Sequence, residues 1–144
     1  MSQEPSIAQH PAPDRAKVPL WSLMFSLAAP PAAWSAQTIA GYAISSQACY
    51  PADMLRTKPT FTGMWDLLVV ISLSALIVGV LGAGIAYRNW SSTRYERGGA
   101  GPELIERGEG RTRFLAMCGL IVAGGFSVAT AFSMVALILS PLCK

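Results

Sequence analysis

Three long stretches without an Asp, Glu, Lys, Arg or His decide most of what this chain can fold into. They cover residues 18–45, 67–86 and 114–139. A membrane-crossing helix needs about 20 apolar residues at a rise of 1.5 Å each, and every one of these stretches is that long. The surrounding composition agrees: 52% of the 144 residues are hydrophobic and 13% are charged, against roughly 25% charged in soluble domains. The expected fold class is therefore all-α membrane, with three transmembrane helices at about 18–45, 66–90 and 112–140. Residues 1–17, with Pro5, Pro11 and Pro13 and no apolar periodicity, read as a disordered tail ahead of a membrane domain over 18–144.

The first stretch has a second reading. Arg15 and Lys17 would open a signal peptide, residues 19–29 would be its apolar core, and residues 33–36 would hold the cleavage site. Trp34 and the apolar continuation through residues 39–44 favour a retained helix, which Pro30 and Pro31 are expected to kink. Aromatic residues at the ends, among them Trp21, Tyr42, Trp65, Tyr87 and Trp90, belong at headgroup level.

Arginine placement sets the expected orientation. Residues 88–113 hold Arg88, Arg94, Arg97, Arg107, Arg111 and Arg113, and the tail adds Arg15 and Lys17. The loop at 46–64 holds only Arg56 and Lys58. Basic residues collect on the cytoplasmic side, where acidic ones count little. The N-terminus and the loop at 91–111 (with a short helical turn at 103–107) are thus expected inside, the C-terminus outside, in a bacterial inner membrane. The net charge of +3 gives no reason to expect nucleic acid.

This orientation gives the cysteines a meaning. Cys49 and Cys143 both fall at the outer ends of helices, in a compartment that favours disulfides. A bridge between them is one reading and two unpaired thiols is another. A soft copper(I) or thiol-redox site helped by Met54 or Met64 is the third. Cys118 reads as a small packing residue.

Small residues recur at steps of four: Ala75, Gly79 and Ala83 in the second stretch, and Gly119, Ala123, Ser127 and Ala131 in the third. Such stripes let helix backbones approach closely, either within the bundle or against a larger partner. The first stretch carries Trp34, Gln37, Thr38, Gly41, Tyr42 and Ser45, read as the notable intramembrane polar set. Its members are expected to hydrogen-bond across helices, with contact to a quinone, a haem edge or a substrate as the functional alternative. Pumps and coupled transporters use ionisable groups at depth, and these stretches hold none.

The chemistry of enzymes is missing. His10 is the single histidine, and there is no Cys-x-x-Cys, phosphate loop, dinucleotide fingerprint or nucleophile elbow. No catalytic residue, cofactor, metal or small-molecule substrate is expected; the inner arginines could touch anionic lipid heads.

Trp21, the run from Ala29 through Pro30 and Pro31 to Trp34, and Tyr42 leading to Cys49 carry a resemblance. So do Arg113, Phe114, Leu115 and Ala116 at the start of the third stretch, then Gly119, and finally Pro141, Leu142 and Cys143. In these the chain resembles a family of small three-helix bacterial membrane proteins that accompany haem-copper terminal oxidases, such as the cytochrome c oxidase machinery. The resemblance covers about half the chain and brings no catalytic residue with it. It implies a non-catalytic accessory subunit or assembly partner of a respiratory oxidase. The alternative function is a copper or thiol-redox carrier using the outer cysteines.

Overall fold

The computed structural model describes residues 18–94, 111–140 and 143. The expected tail, the turn at 103–107 and most of the arginine-rich segment lie outside the described residues. Among the described residues three long helices carry the fold: α1 Leu20–Cys49, α2 Met64–Thr93 and α3 Arg111–Leu139, with one 3-10 turn, Pro51–Asp53, after α1.

α1 and α2 overrun the ends where polar residues set their expected limits, and α3 matches its expected span to within one residue. α1 passes through Ser45, Ser46 and Gln47, because the Ser46 hydroxyl donates to its own helix at the Ala43 carbonyl, 3.0 Å away. It stops at Cys49 because Tyr50 precedes Pro51, and a residue before proline is pushed out of the helical region. α2 starts earlier than expected, at Met64. Gly63 sits at φ 92°, a left-handed conformation open to glycine, and accepts the first helical bond, from Leu67 N–H. Asp66 lies in that first turn, where a carboxylate suits the positive helix end.

Each helix packs against both others, in an up-down-up arrangement that the cross-helix contacts fix. Ser22 meets Asn89 and Gln37 meets Ser72, so α1 and α2 are antiparallel. Gly79 meets Ser127, and Ser26 meets Gly119. The seam of α2 comprises Met64, Leu68, Ser72, Ala75, Gly79, Gly82, Ala86, Asn89 and Thr93. Its spacing alternates between four and three, near the 3.6-residue period. The expected stripe of uniform fours drifts off that line, so Ala83 lies beside the seam and Gly82 lies on it. In α3 the same correction puts Thr130 in the interior rather than Ala131.

The interior is small and partly polar. Ser26, Ala86, Ala116, Ala123, Thr93 and Thr130 are all buried, while Ile39, Val70, Ile121 and Phe132 are each more than 60% exposed. Apolar clusters close the two ends: Ala48, Cys49, Met64, Leu68 and Cys143 at one, and Val18, Leu23 and Ala116 at the other. This distribution reverses that of a water-soluble bundle, where large apolar side chains go inside. α2 and α3 are long and apolar enough to cross a membrane, with only 28% and 11% of their most apolar windows buried. α1 is not among them; its prolines, serines, Trp34 and Gln37 dilute it.

Candidate functional site

The buried polar groups are where the chain departs from simple packing. Most hydroxyls are satisfied by the carbonyl one turn back on their own helix: Ser72 to Leu68, Thr93 to Asn89, Ser127 to Ala123, and Thr130 to Phe126, at 2.7–3.0 Å. A hydroxyl bonded this way costs little inside an apolar bundle.

Two pairs reach between helices. Ser22 Oγ donates to Asn89 Oδ1 at 3.1 Å, and Asn89 Nδ2 donates to Ser22 Oγ at 2.9 Å. Asn89 had attracted no attention in the sequence, because it follows Arg88 at a helix end and reads as a surface residue. The tertiary fold buries it to 8% exposure. Asn89→Leu is expected to destabilise the bundle by about 0.6–2 kcal/mol. A double-mutant cycle with Ser22→Ala, followed by thermal unfolding in detergent, checks this. Full additivity of the two single effects would contradict the pairing.

The second pair is incomplete. Gln37 Nε2 donates to Ser72 Oγ at 3.3 Å. Ser72 has already committed its proton to the Leu68 carbonyl, so its oxygen must accept, and this fixes the orientation of the Gln37 amide. Gln37 Oε1 is then left buried without a partner, as is Trp34 Nε1 one turn away. The Trp34 ring stands edge-on to Phe126, with centroids 5.5 Å apart.

Gln37 also lines a groove of about 310 Å³ between all three helices. Thr38, Tyr42 and Ser45 of α1, Ser72 of α2 and Ser133 of α3 contribute to its walls. Tyr42 and Thr38 are exposed at the rim. The polar set read from α1 is therefore split: Gln37 faces inward, Trp34 packs on α3, and Thr38 and Tyr42 face outward. It is also joined by polar residues of α2 and α3, which the sequence reading had not weighed.

At the same end, Cys49 and Cys143 come together. Their sulfurs are 2.03 Å apart, at disulfide distance, and close a sequence separation of 94 residues. The loop after α1 folds back over this point, with Arg56 N–H donating to the Cys49 carbonyl and Thr60 N–H to that of Ala48. Met64 is buried in the same apolar cluster as the two cysteines, whereas Met54 is 71% exposed. Met64 thus shares the cysteines' cluster and Met54 does not. Among the described residues no three His, Cys, Asp or Glu side chains form a metal-binding group. Cys118 is a free thiol, partly buried in α3.

Of the small residues singled out in the sequence, Gly79, Gly119, Ala123 and Ser127 serve contacts within the bundle. A Cβ on Gly79 would lie 2.7 Å from Ser127 Oγ, and one on Gly119 the same distance from Ser26 Oγ. Ala123 is fully buried, 3.7 Å from where a Cβ on Gly82 would stand. The closest proline contact was not anticipated: the ring of Pro30 seats against Gly82, 2.7 Å from its notional Cβ. Comparison of the chain with protein-family models, curated proteins and solved structures finds no match in any of the three.

Proposed function

We propose that this is a non-catalytic integral membrane protein of three spans, α1 included, that serves as an accessory subunit or assembly partner of a larger membrane complex. The N-terminus and the arginine-rich segment lie inside and the bridged end outside, in a bacterial inner membrane. The resemblance of the first and third helices makes a respiratory terminal oxidase the partner of choice.

One observation carries the reading: an incompletely satisfied polar groove interrupts the apolar surface of the bridged half. Gln37 Oε1 stands buried and unpartnered beneath the groove wall, and hydrocarbon cannot satisfy the exposed Tyr42 hydroxyl at its rim. A polar side chain on a partner helix can, which is how polar residues join helices in membranes. The seam of small residues is used up inside the bundle, so the groove is the surface left for a partner. The copper alternative needs both thiols free, whereas their sulfurs stand at bonding distance; a thiol-redox carrier needs that bridge to open and re-form.

The test is a pull-down of the tagged chain from native membranes in mild detergent, read by mass spectrometry and by a reduced-minus-oxidised spectrum. Oxidase subunits and haem bands are expected with the wild-type chain. Tyr42→Phe is expected to lower their recovery roughly three- to thirty-fold, the range that about 0.6–2 kcal/mol per interhelical hydrogen bond allows. A chain recovered alone, with no haem signal, would remove the oxidase assignment.

A further inference from the structure

A second cavity, of about 260 Å³, lies at the end opposite the bridge, where α1 begins and α2 ends. Trp21, Ser22, Ile85, Arg88, Asn89 and Ser92 line it. Its chemistry differs from that of the groove: among the described residues its lining holds a full positive charge and no carboxylate. The two acidic residues among the described ones, Asp53 and Asp66, belong to the bridged end.

We infer that this cavity binds the phosphate of an anionic phospholipid headgroup. Arg88 offers a planar fork of N–H donors that matches a phosphate. Asn89 spends one of its two amide protons on Ser22, which holds the residue in place and leaves the other proton to donate. The start of α1 adds to the field, since it has no capping side chain and no acidic residue in its first turn. Arg15 and Lys17 precede it closely in sequence. Trp21, 68% exposed, has the amphipathic ring favoured at headgroup level. Exposed Leu20 and Leu81 continue the apolar surface on which acyl chains would lie. A free phosphate ion shares the headgroup's charge, but the apolar surroundings of the cavity favour the lipid.

This inference rests on the membrane reading above, and its test separates the two. Carbonate extraction of membranes first asks whether the chain is integral. The purified full chain is then examined by native mass spectrometry with phosphatidylglycerol, with phosphatidylcholine, and with inorganic phosphate as competitor. Preferential retention of phosphatidylglycerol is expected, unaffected by millimolar phosphate. Arg88→Gln is expected to reduce it about five-fold, the factor equivalent to ~1 kcal/mol per arginine at an anionic surface. Ser92→Phe, which fills the cavity without altering charge, is expected to reduce it as well. Arg113→Gln, an exposed arginine outside the lining, should leave retention within about two-fold of wild type, since this residue makes no contact with the bound headgroup. A cooperative thermal unfolding transition in detergent with a midpoint near that of wild type reports that each variant has folded. Equal losses in Arg88→Gln and Arg113→Gln would show diffuse attraction and overturn the site. So would equal retention of phosphatidylcholine, or displacement by phosphate. A chain that resists carbonate extraction yet shows no lipid preference refutes the site alone; one that is extracted refutes the membrane reading.

Discussion

Replacing Cys49 or Cys143 by serine is expected to lower the stability of the bundle by about 4–5 kcal/mol, the largest effect of any single substitution considered. The size follows from the loop. The two sulfurs close a sequence separation of 94 residues, and the entropy removed from the unfolded chain grows with the logarithm of that length. The crosslink ties α1 directly to the segment after α3, elements joined in the chain only by way of α2. Cys143 also stands at φ 58°, a left-handed conformation that a non-glycine residue adopts at a cost of about 1–2 kcal/mol; the bonded partner helps to hold it there. Helices that persist in detergent after unfolding would make the measured loss smaller. Thermal unfolding with and without reductant checks the value, and Cys118→Ser, which touches no bridge, serves as the control. Equal midpoints for wild type and Cys49→Ser would mean that the bridge contributes nothing to the fold.

Gly82→Ala is expected to cost about 1–3 kcal/mol, the range for overpacking a close contact, with larger side chains costing more. A Cβ there would stand 2.7 Å from Cγ of Pro30 and 3.4 Å from its Cδ. A proline ring can only flip its pucker, a smaller movement than a rotamer change, and Pro30 is itself buried within α1. Relief therefore requires α1 to move away from α2. Gly79→Ala and Gly119→Ala meet a serine hydroxyl at the same distance, and a hydroxyl can rotate if it gives up its bond to the backbone. Their cost should be smaller. Gly84 and Gly124 have nothing within 4 Å of a notional Cβ, so alanine there should be neutral or mildly stabilising through helix propensity. Midpoints of unfolding for the five alanine variants should rank in that order. A Gly82→Ala protein as stable as Gly84→Ala would show that the Pro30 contact is not a close one.

The groove and the Ser22–Asn89 pair were only partly legible in advance. Gln37 could be recognised because an amide inside an uncharged stretch has to find a partner. Its partner could not, since Ser72 is one of several serines in α2 and the rotation of that helix decides which of them faces α1. Asn89 was hidden by its neighbour Arg88, and Pro30 was read as a kink rather than as a surface. In each case a local sequence signal existed, but its meaning depended on what stood opposite.

What the sequence determined by itself is the set of helices. Charge-free length and turn chemistry act along the chain, so proline, glycine and uninterrupted apolar runs fixed three helical segments to within a few residues. The juxtaposition of Cys49 with Cys143 could be entertained on the same basis, because three helices of similar length return alternate ends to the same level. Only the tertiary structure decided which residues form the seam. A helix repeats every 3.6 residues, so over thirty residues a small error in assumed period rotates the interior face past its true position. Gly82 replaces Ala83 and Thr130 replaces Ala131 for that reason. The phase of each helix is set by the side chains packed against it, and those belong to other parts of the chain.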